Sequence, residues 1–470
     1  MSLFRTKNID QLIADSADPT RRLAKTLGPW SMAALGVGAV IGSGIFILTG
    51  TAAAGTADRL GAGPGVAVSF FLVAVACSFA ALCYAELASM IPIAGSAYTY
   101  AYATLGEIVA WIIGWDLILE YAVSNMAVAV GFSAYFNDIL HALFGVTLPK
   151  ALSEPMFIGN QATGSIFNLP SFLILMVLTM LLVRGVRESA GANSIMVIVK
   201  VAAILIFIIG AAGSINTENW RPFFPNGFPG VMTGAAIVFF TYIGFDSVST
   251  AAEECKRPQR DLPFGIIVSL FACTLLYVGV ALTLTGIANW TTLNNAAPVA
   301  NALKALGYEN VRKVVDMGAL VGMISSLLVF QYGQARIWYA MSRDRLLPEV
   351  FSRVSPRYRT PDVSTWVAGF FVGIPAGVWD IGSFADLANI GTMFAFVIAS
   401  TGVIILRYRD PDRPRGFRVP LVPILPASSI LCCLILMASL PSRTWYWFFI
   451  WLVIGLIIYF LYGRRRTANE

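Results

Sequence analysis

Long stretches without a single charged residue constrain this chain most. No Lys, Arg, Asp or Glu occurs from Trp30 to Ala57, from Leu60 to Ala85, from Pro222 to Phe245 or from Leu262 to Leu303. A helix that crosses a bilayer needs about 20 apolar residues, so each run is long enough to do so. Of the 470 residues, 57% are hydrophobic and 12% charged, against about 25% charged in soluble domains. A water-soluble fold has too little polar cover for that surface. Lipid requires none. The chain is therefore expected to be an all-α polytopic membrane protein.

Twelve transmembrane helices are expected, at 30–56, 65–90, 107–135, 168–187, 192–213, 230–252, 264–288, 313–340, 364–381, 386–407, 419–440 and 443–463, with an uncertainty of about 2–4 residues at each end. With the N-terminus placed in the cytoplasm, 24 of the 32 basic residues fall on the cytoplasmic side and 7 outside, and Lys200 remains inside a span. Basic residues accumulate in cytoplasmic loops, so both termini are expected to be cytoplasmic. The same rule accounts for the net charge of +6 without nucleic acid. Trp30, Trp220, Trp290, Trp445 and Trp447 lie at or near span ends, where amphipathic rings prefer to sit. The first 29 residues are polar and basic, which predicts that the first span serves as an uncleaved signal.

Catalytic chemistry finds little to work with. One histidine, His141, near a helix end, gives a His-based metal site nothing to build on, and the six cysteines fall in spans or at a membrane edge. No Gly-x-Ser-x-Gly elbow or His-based triad is present. No enzyme activity, metal or cofactor is expected.

Two spans carry their own interruptions. The first contains Gly42-Ser43-Gly44 near its middle, and the sixth contains Phe239-Phe240-Thr241-Tyr242-Ile243-Gly244-Phe245-Asp246. Gly weakens a helix by its backbone freedom, and backbone groups freed at membrane depth must be met by protein, water or ligand. Small residues also serve simply to let helices pack closely. Each interruption falls about a dozen residues into its span. Interrupted helices at matching places in two halves point to an inverted-repeat transporter. Residues 30–213 and 230–407 are then the two five-span repeats, 419–463 an appended pair, and 1–29 and 464–470 cytoplasmic tails. Unwinding of the first span would present the amides of Gly42, Ser43, Gly44 and Ile45 at a helix N-terminus, an end that attracts a carboxylate.

The interruptions do not stand alone. Gly42-Ser43-Gly44-Ile45-Phe46, Tyr84-Ala85-Glu86-Leu87, Pro92-Ile93-Ala94-Gly95-Ser96-Ala97-Tyr98, Gly114-Trp115-Asp116-Leu117-Ile118-Leu119-Glu120-Tyr121, Gly244-Phe245-Asp246, Ala252-Glu253-Glu254 with Pro258-Gln259-Arg260-Asp261-Leu262-Pro263, and Tyr339-Ala340-Met341-Ser342-Arg343-Asp344 occur in order. This set resembles the amino acid–polyamine–organocation superfamily, and within it the bacterial relatives of cationic amino acid transporters, over nearly the whole chain. The resemblance implies a LeuT-type fold and alternating access. It implies an α-amino acid whose carboxylate meets the first break and whose ammonium meets the carbonyls of Val40, Ile41, Phe240 and Tyr242, with Ile243 beside them. It also implies that a fifth-span lysine, here Lys200, stands where sodium-dependent relatives bind a sodium ion, bridging spans one, five and eight.

Ionisable residues at membrane depth are costly and default to functional candidates. Burial penalises the charged form of a lysine, which suits Lys200 to gaining and losing a proton. Its plainer role is a static ammonium on backbone carbonyls. Glu120 and Asp246 either face the substrate or pair with buried donors, and Asp116 lies one turn before Glu120. Glu86, Glu253 and Glu254 are expected to be gate or loop anchors meeting basic partners such as Arg343. Phe240 either closes over the ligand or packs in the core. By resemblance Phe330 borders the substrate side chain, where the larger cationic transporters carry a small residue. The expected activity is proton-coupled import of small or medium neutral L-amino acids across a bacterial plasma membrane. Cationic amino acid transport, exchange, and a channel or receptor are the alternatives. The expected partners are the substrate, protons and lipid. No nucleic acid is expected, and no protein partner is identifiable.

Overall fold

The computed structural model describes residues 4–16, 25–56, 59–158, 161–295 and 297–464. Most of the C-terminal tail expected at 464–470, and part of the N-terminal one, lie outside the described residues.

The chain is a bundle of apolar helices. Among the described residues, eight helices are long and apolar enough to cross a membrane, and one bent pair is so when taken together. Three shorter apolar helices join them: α8 (Leu169–Arg184), α14 (Asp362–Val378) and α16 (Ile424–Ala438). The bent pair is α2 (Pro29–Val40) with α3 (Gly44–Ala54), turned by 43° at residues 41–43. The eight long ones are α4 (Val66–Met90), α6 (Glu107–Phe144), α9 (Val186–Ala212), the irregular span Gly227–Glu254 that begins with α10 (Gly227–Val238), α11 (Pro258–Ile287), α13 (Glu309–Arg343), α15 (Ile381–Arg409) and α17 (Ser442–Ile458). Their starts carry local signals. Pro opens α2 and α11, where its missing N–H is no loss. The Asn168 side chain caps α8 by accepting from the Ser171 amide.

The burial pattern is that of a protein in lipid. Ile209 is 73% exposed, Ile198 68% and Phe271 66%, while Asp116, Lys200 and Glu254 are sealed inside. Second-span α4 packs on α11, α6 on α13 and α8 on α14.

The connections hold more structure than the sequence announced. Helices α1 (Ile9–Ser16), α5 (Ala97–Thr104), α7 (Lys150–Ser153) and α12 (Pro298–Ala305) occupy segments expected to be irregular. Helix α6 runs to Phe144 rather than ending near 135, and α13 begins at Glu309 rather than 313. The extra turns of α6 place Asn137, Asp138 and His141 among apolar residues, which breaks the apolar run on which the end near 135 rests. It ends at Gly145, whose φ of 67° favours glycine.

Candidate substrate site

The sixth span is the more irregular of the two interrupted spans. Helix α10 (Gly227–Val238) ends well before Gly244, and the chain continues as 3-10 turns over Phe239–Tyr242 and Phe245–Glu254. The irregularity thus begins at Phe239, where the interrupted segment read from the sequence begins, and runs past Asp246 to Glu254. The hydroxyls explain its extent. Thr241 donates to the Val238 carbonyl at 2.6 Å, Ser249 to Asp246 at 2.6 Å and Thr250 to Ser247 at 2.7 Å. Such side chains compete for local carbonyls, and the i−3 spacing is that of the tighter 3-10 turn. Gly244 sits at φ 122°, a conformation few other residues tolerate.

The two breaks lie against each other. A methyl group built on Gly244 would come within 2.6 Å of the Ala39 Cβ, and one on Gly44 within 2.7 Å of the Thr241 Cγ2 and 3.4 Å of the Phe240 ring. The first break is α-helical up to Val40, turns through Ile41, Gly42 and Ser43, and resumes at Gly44. Gly42 turns its amide back onto the Val40 carbonyl at 3.1 Å, so that N–H is not left open as the sequence suggested. Ser43, Gly44 and Ile45 stand at the start of α3, where the first-turn amides have no helical acceptor. The Ser43 hydroxyl is buried and has no partner.

Lys200 reaches this place from α9. Its ammonium donates to the Gly38 carbonyl at 2.8 Å, the Ile41 carbonyl at 2.9 Å and the Ser325 hydroxyl at 3.2 Å. One ammonium with three donors thus joins α2, α9 and α13. Ser325 passes its own proton to Asn193 at 2.7 Å, and Asn193 donates to the Ala34 carbonyl at 2.9 Å. Ser326 ties α13 to the Ala39 carbonyl at 2.9 Å. Phe330 lies one turn further along α13, edge-on to Tyr121 at 5.9 Å, and Tyr121 donates to Asp246 at 2.9 Å.

The carboxylates divide into two groups. Asp246, Glu120 and Asp116 lie side by side in the interior. Both oxygens of Asp116 and of Glu120, and one of Asp246, have no hydrogen-bond partner. Asp246 does find one buried donor, Tyr121. Thr392 adjoins Glu120 but gives its proton to the Ala388 carbonyl at 3.0 Å. Glu86, Glu253 and Glu254 stand apart, at the end of the bundle that carries the N-terminus. Arg343 meets Glu253 at 2.8 Å and neither of the others. Glu254 is held by Arg336 at 2.8 Å, and Glu86 by Arg407 at 2.7 Å and Arg415 at 3.0 Å.

Tyr277 was missed in the sequence. Its hydroxyl, on α11, lies 2.7 Å from the Val40 carbonyl and 2.8 Å from the Thr241 carbonyl, one from each break. A tyrosine among apolar neighbours looks like core packing, and nothing in its spacing marks it. Tyr277→Phe keeps the ring and removes the one donor shared by the two segments. We expect a stability loss of about 1–2 kcal/mol with a steep fall in uptake, read by thermal unfolding and vesicle uptake. Unchanged uptake would mean that the bridge is dispensable.

Comparison with known proteins decides the family. Residues 27–461 match the amino acid permease family. The chain belongs to that family, within the amino acid–polyamine–organocation superfamily. A branched-chain amino acid permease of Bacillus subtilis is 47% identical, over 99% of this chain and 98% of the relative. A methylthioribose transporter from the same bacterium is 46% identical over 99% of both. Cationic amino acid transporter 4, vacuolar, of Arabidopsis thaliana is 37% identical over 87% of this chain and 68% of its own length. The permease is thus a membrane-spanning transporter and not an enzyme.

Proposed function

We propose that the permease imports a neutral L-amino acid of small or medium size, branched-chain residues included, by proton symport. The observation that carries this is the meeting of two interrupted spans at the start of α3, where first-turn amides and the unpartnered Ser43 hydroxyl offer a carboxylate its donors. Carbonyls of the facing segments receive the ammonium. A zwitterion satisfies both sets at once.

Further features support the reading. The bent pair, the eight long helices and the three short apolar ones together make twelve crossings. Spans two and seven, three and eight, and four and nine pack in pairs, which supports an inverted repeat of 30–213 against 230–407. The basic residues favour a plasma-membrane protein with both termini cytoplasmic. Lys200, bonded to two carbonyls of the first break's half-helix, is the proton-coupling group.

Relatives alone do not choose the substrate. One is named for branched-chain amino acids, and another for methylthioribose, which carries neither charge of an amino acid. Phe330 favours a neutral side chain of limited size, because its ring fills space next to Tyr121. Phe330→Ser is expected to widen the substrate range toward arginine and lysine in competition uptake assays. An unchanged range refutes the size argument. The unpartnered Glu120 oxygens favour a second reading, a cationic amino acid.

A thermal-shift panel of L-amino acids on purified protein, repeated across pH, separates the two. Ligand at a hundredfold excess over Kd stabilises by about 2.7 kcal/mol. Leucine, isoleucine or valine should shift the transition and arginine should not. A shift by arginine alone favours the second reading, and no shift by any L-amino acid sinks both.

A further inference from the structure

Several basic residues at the N-terminal end of the bundle are spoken for. Arg336, Arg343, Arg407, Arg415 and Lys7 each face a carboxylate. Lys256, Arg257 and Arg260 do not. They are exposed, and among the described residues no carboxylate forms an ion pair with them. They line a cavity of about 440 Å³ between the entry of α2 and the first turns of α11. Asp261 lines it as well, which leaves two net positive charges.

The lining is also partly apolar. Trp30 is 73% exposed and meets Phe264 edge-to-face at 5.2 Å, and Pro29 adds to that lining. Trp30 opens the first crossing, at the depth where rings prefer the headgroup layer. The cavity is anchored, because the Lys256 amide bonds the Leu27 carbonyl at 2.9 Å and Leu27 pairs with Cys255. Loop charges that serve only to orient a span need no cavity and no aromatic lining.

We infer that this cavity binds the headgroup of an anionic phospholipid from the adjoining leaflet. Its phosphate is held by Lys256, Arg257 and Arg260 while its glycerol and upper acyl carbons lie on Trp30 and Phe264. Basic pockets between transmembrane helices take such headgroups, and an arginine adds a planar fork suited to phosphate.

Native mass spectrometry of the full-length permease in detergent, with dioleoyl phosphatidylglycerol or dioleoyl phosphatidylcholine added, tests this. The triple variant Lys256→Gln, Arg257→Gln, Arg260→Gln should hold phosphatidylglycerol more weakly by about tenfold or more and phosphatidylcholine as before. A control triple, Arg353→Gln, Arg357→Gln and Arg359→Gln, removes the same charge from another exposed loop and should change nothing. Arg260→Gln alone should give a severalfold loss and covers poor folding of the triple. Equal losses from both triples, or none from the first, overturn the site. Displacement of the lipid by glycerol phosphate at equal concentration would make it a site for a soluble anion and overturn the lipid assignment.

Discussion

Lys200→Met is expected to abolish proton-driven accumulation of substrate, bringing the internal concentration down to the external one. The ammonium holds the Gly38 and Ile41 carbonyls and Ser325, so its loss leaves three buried acceptors without a donor. A hydrogen bond to a charged group contributes about 1.5–3 kcal/mol, which is comparable with the difference between two states of a transporter. In the coupling reading, loss of the proton frees the half-helix α2 from α9 and α13, and regaining it restores the link. A static ammonium predicts something else, a less stable protein whose uptake keeps its pH dependence. Lys200→Arg separates the two, because arginine stays protonated at any working pH. Under coupling, the arginine variant folds and binds but loses the pH dependence of uptake. Accumulation undiminished in the methionine variant would end the proposal.

The second large effect concerns Glu254 and Arg336, each 1% exposed. The carboxylate also accepts from Tyr332, over whose ring the guanidinium stacks at 3.7 Å. The Glu254 backbone carbonyl accepts from the amides of Thr26 and Leu27, both at 3.0 Å. The pair therefore lies where the sixth span, α13 and the entry to α2 converge. Removing one member of a buried pair leaves an uncompensated charge and costs about 3–5 kcal/mol. Arg336→Met should lower stability by that amount, read by thermal unfolding in detergent. Adding Glu254→Gln should recover much of the loss, since a neutral amide carries no charge to bury. If the double variant is no more stable than the single one, the destabilisation comes from lost packing and not from the charge.

Much of the architecture was legible because lipid enforces a simple rule. Apolar length and basic loops mark crossings, and the helices lie close to where the uncharged runs put them. Extensions of those helices were not legible, since α5 and the last turns of α6 mix polar with apolar residues. Gly42-Ser43-Gly44 announced the first break because glycine leaves few alternatives. The sixth was announced over 239–246 by its one glycine, whereas its continuation to Glu254 rests on hydroxyls such as those of Ser249 and Thr250, which the sequence did not single out. The acidic residues at the N-terminal end could be named as anchors and Arg343 as a partner, which Glu253 meets, but Glu86 and Glu254 could not be matched to theirs. Glu86 and Arg407 lie 321 positions apart.

The sequence by itself pointed to a bilayer, to interruptions in two of the spans, and to Lys200, Glu120, Asp246 and Asp116 as ionisable residues at membrane depth. These follow from local chemistry, because hydrophobic length, glycine and desolvation act residue by residue. Only the tertiary structure decided that the two irregular segments touch, that Tyr277 bridges them, that the Gly38 and Ile41 carbonyls and the Ser325 hydroxyl are the acceptors Lys200 takes, and that Arg336 rather than Arg343 holds Glu254. Such pairings depend on helices far apart in the chain being set side by side, and no spacing along the chain encodes that distance.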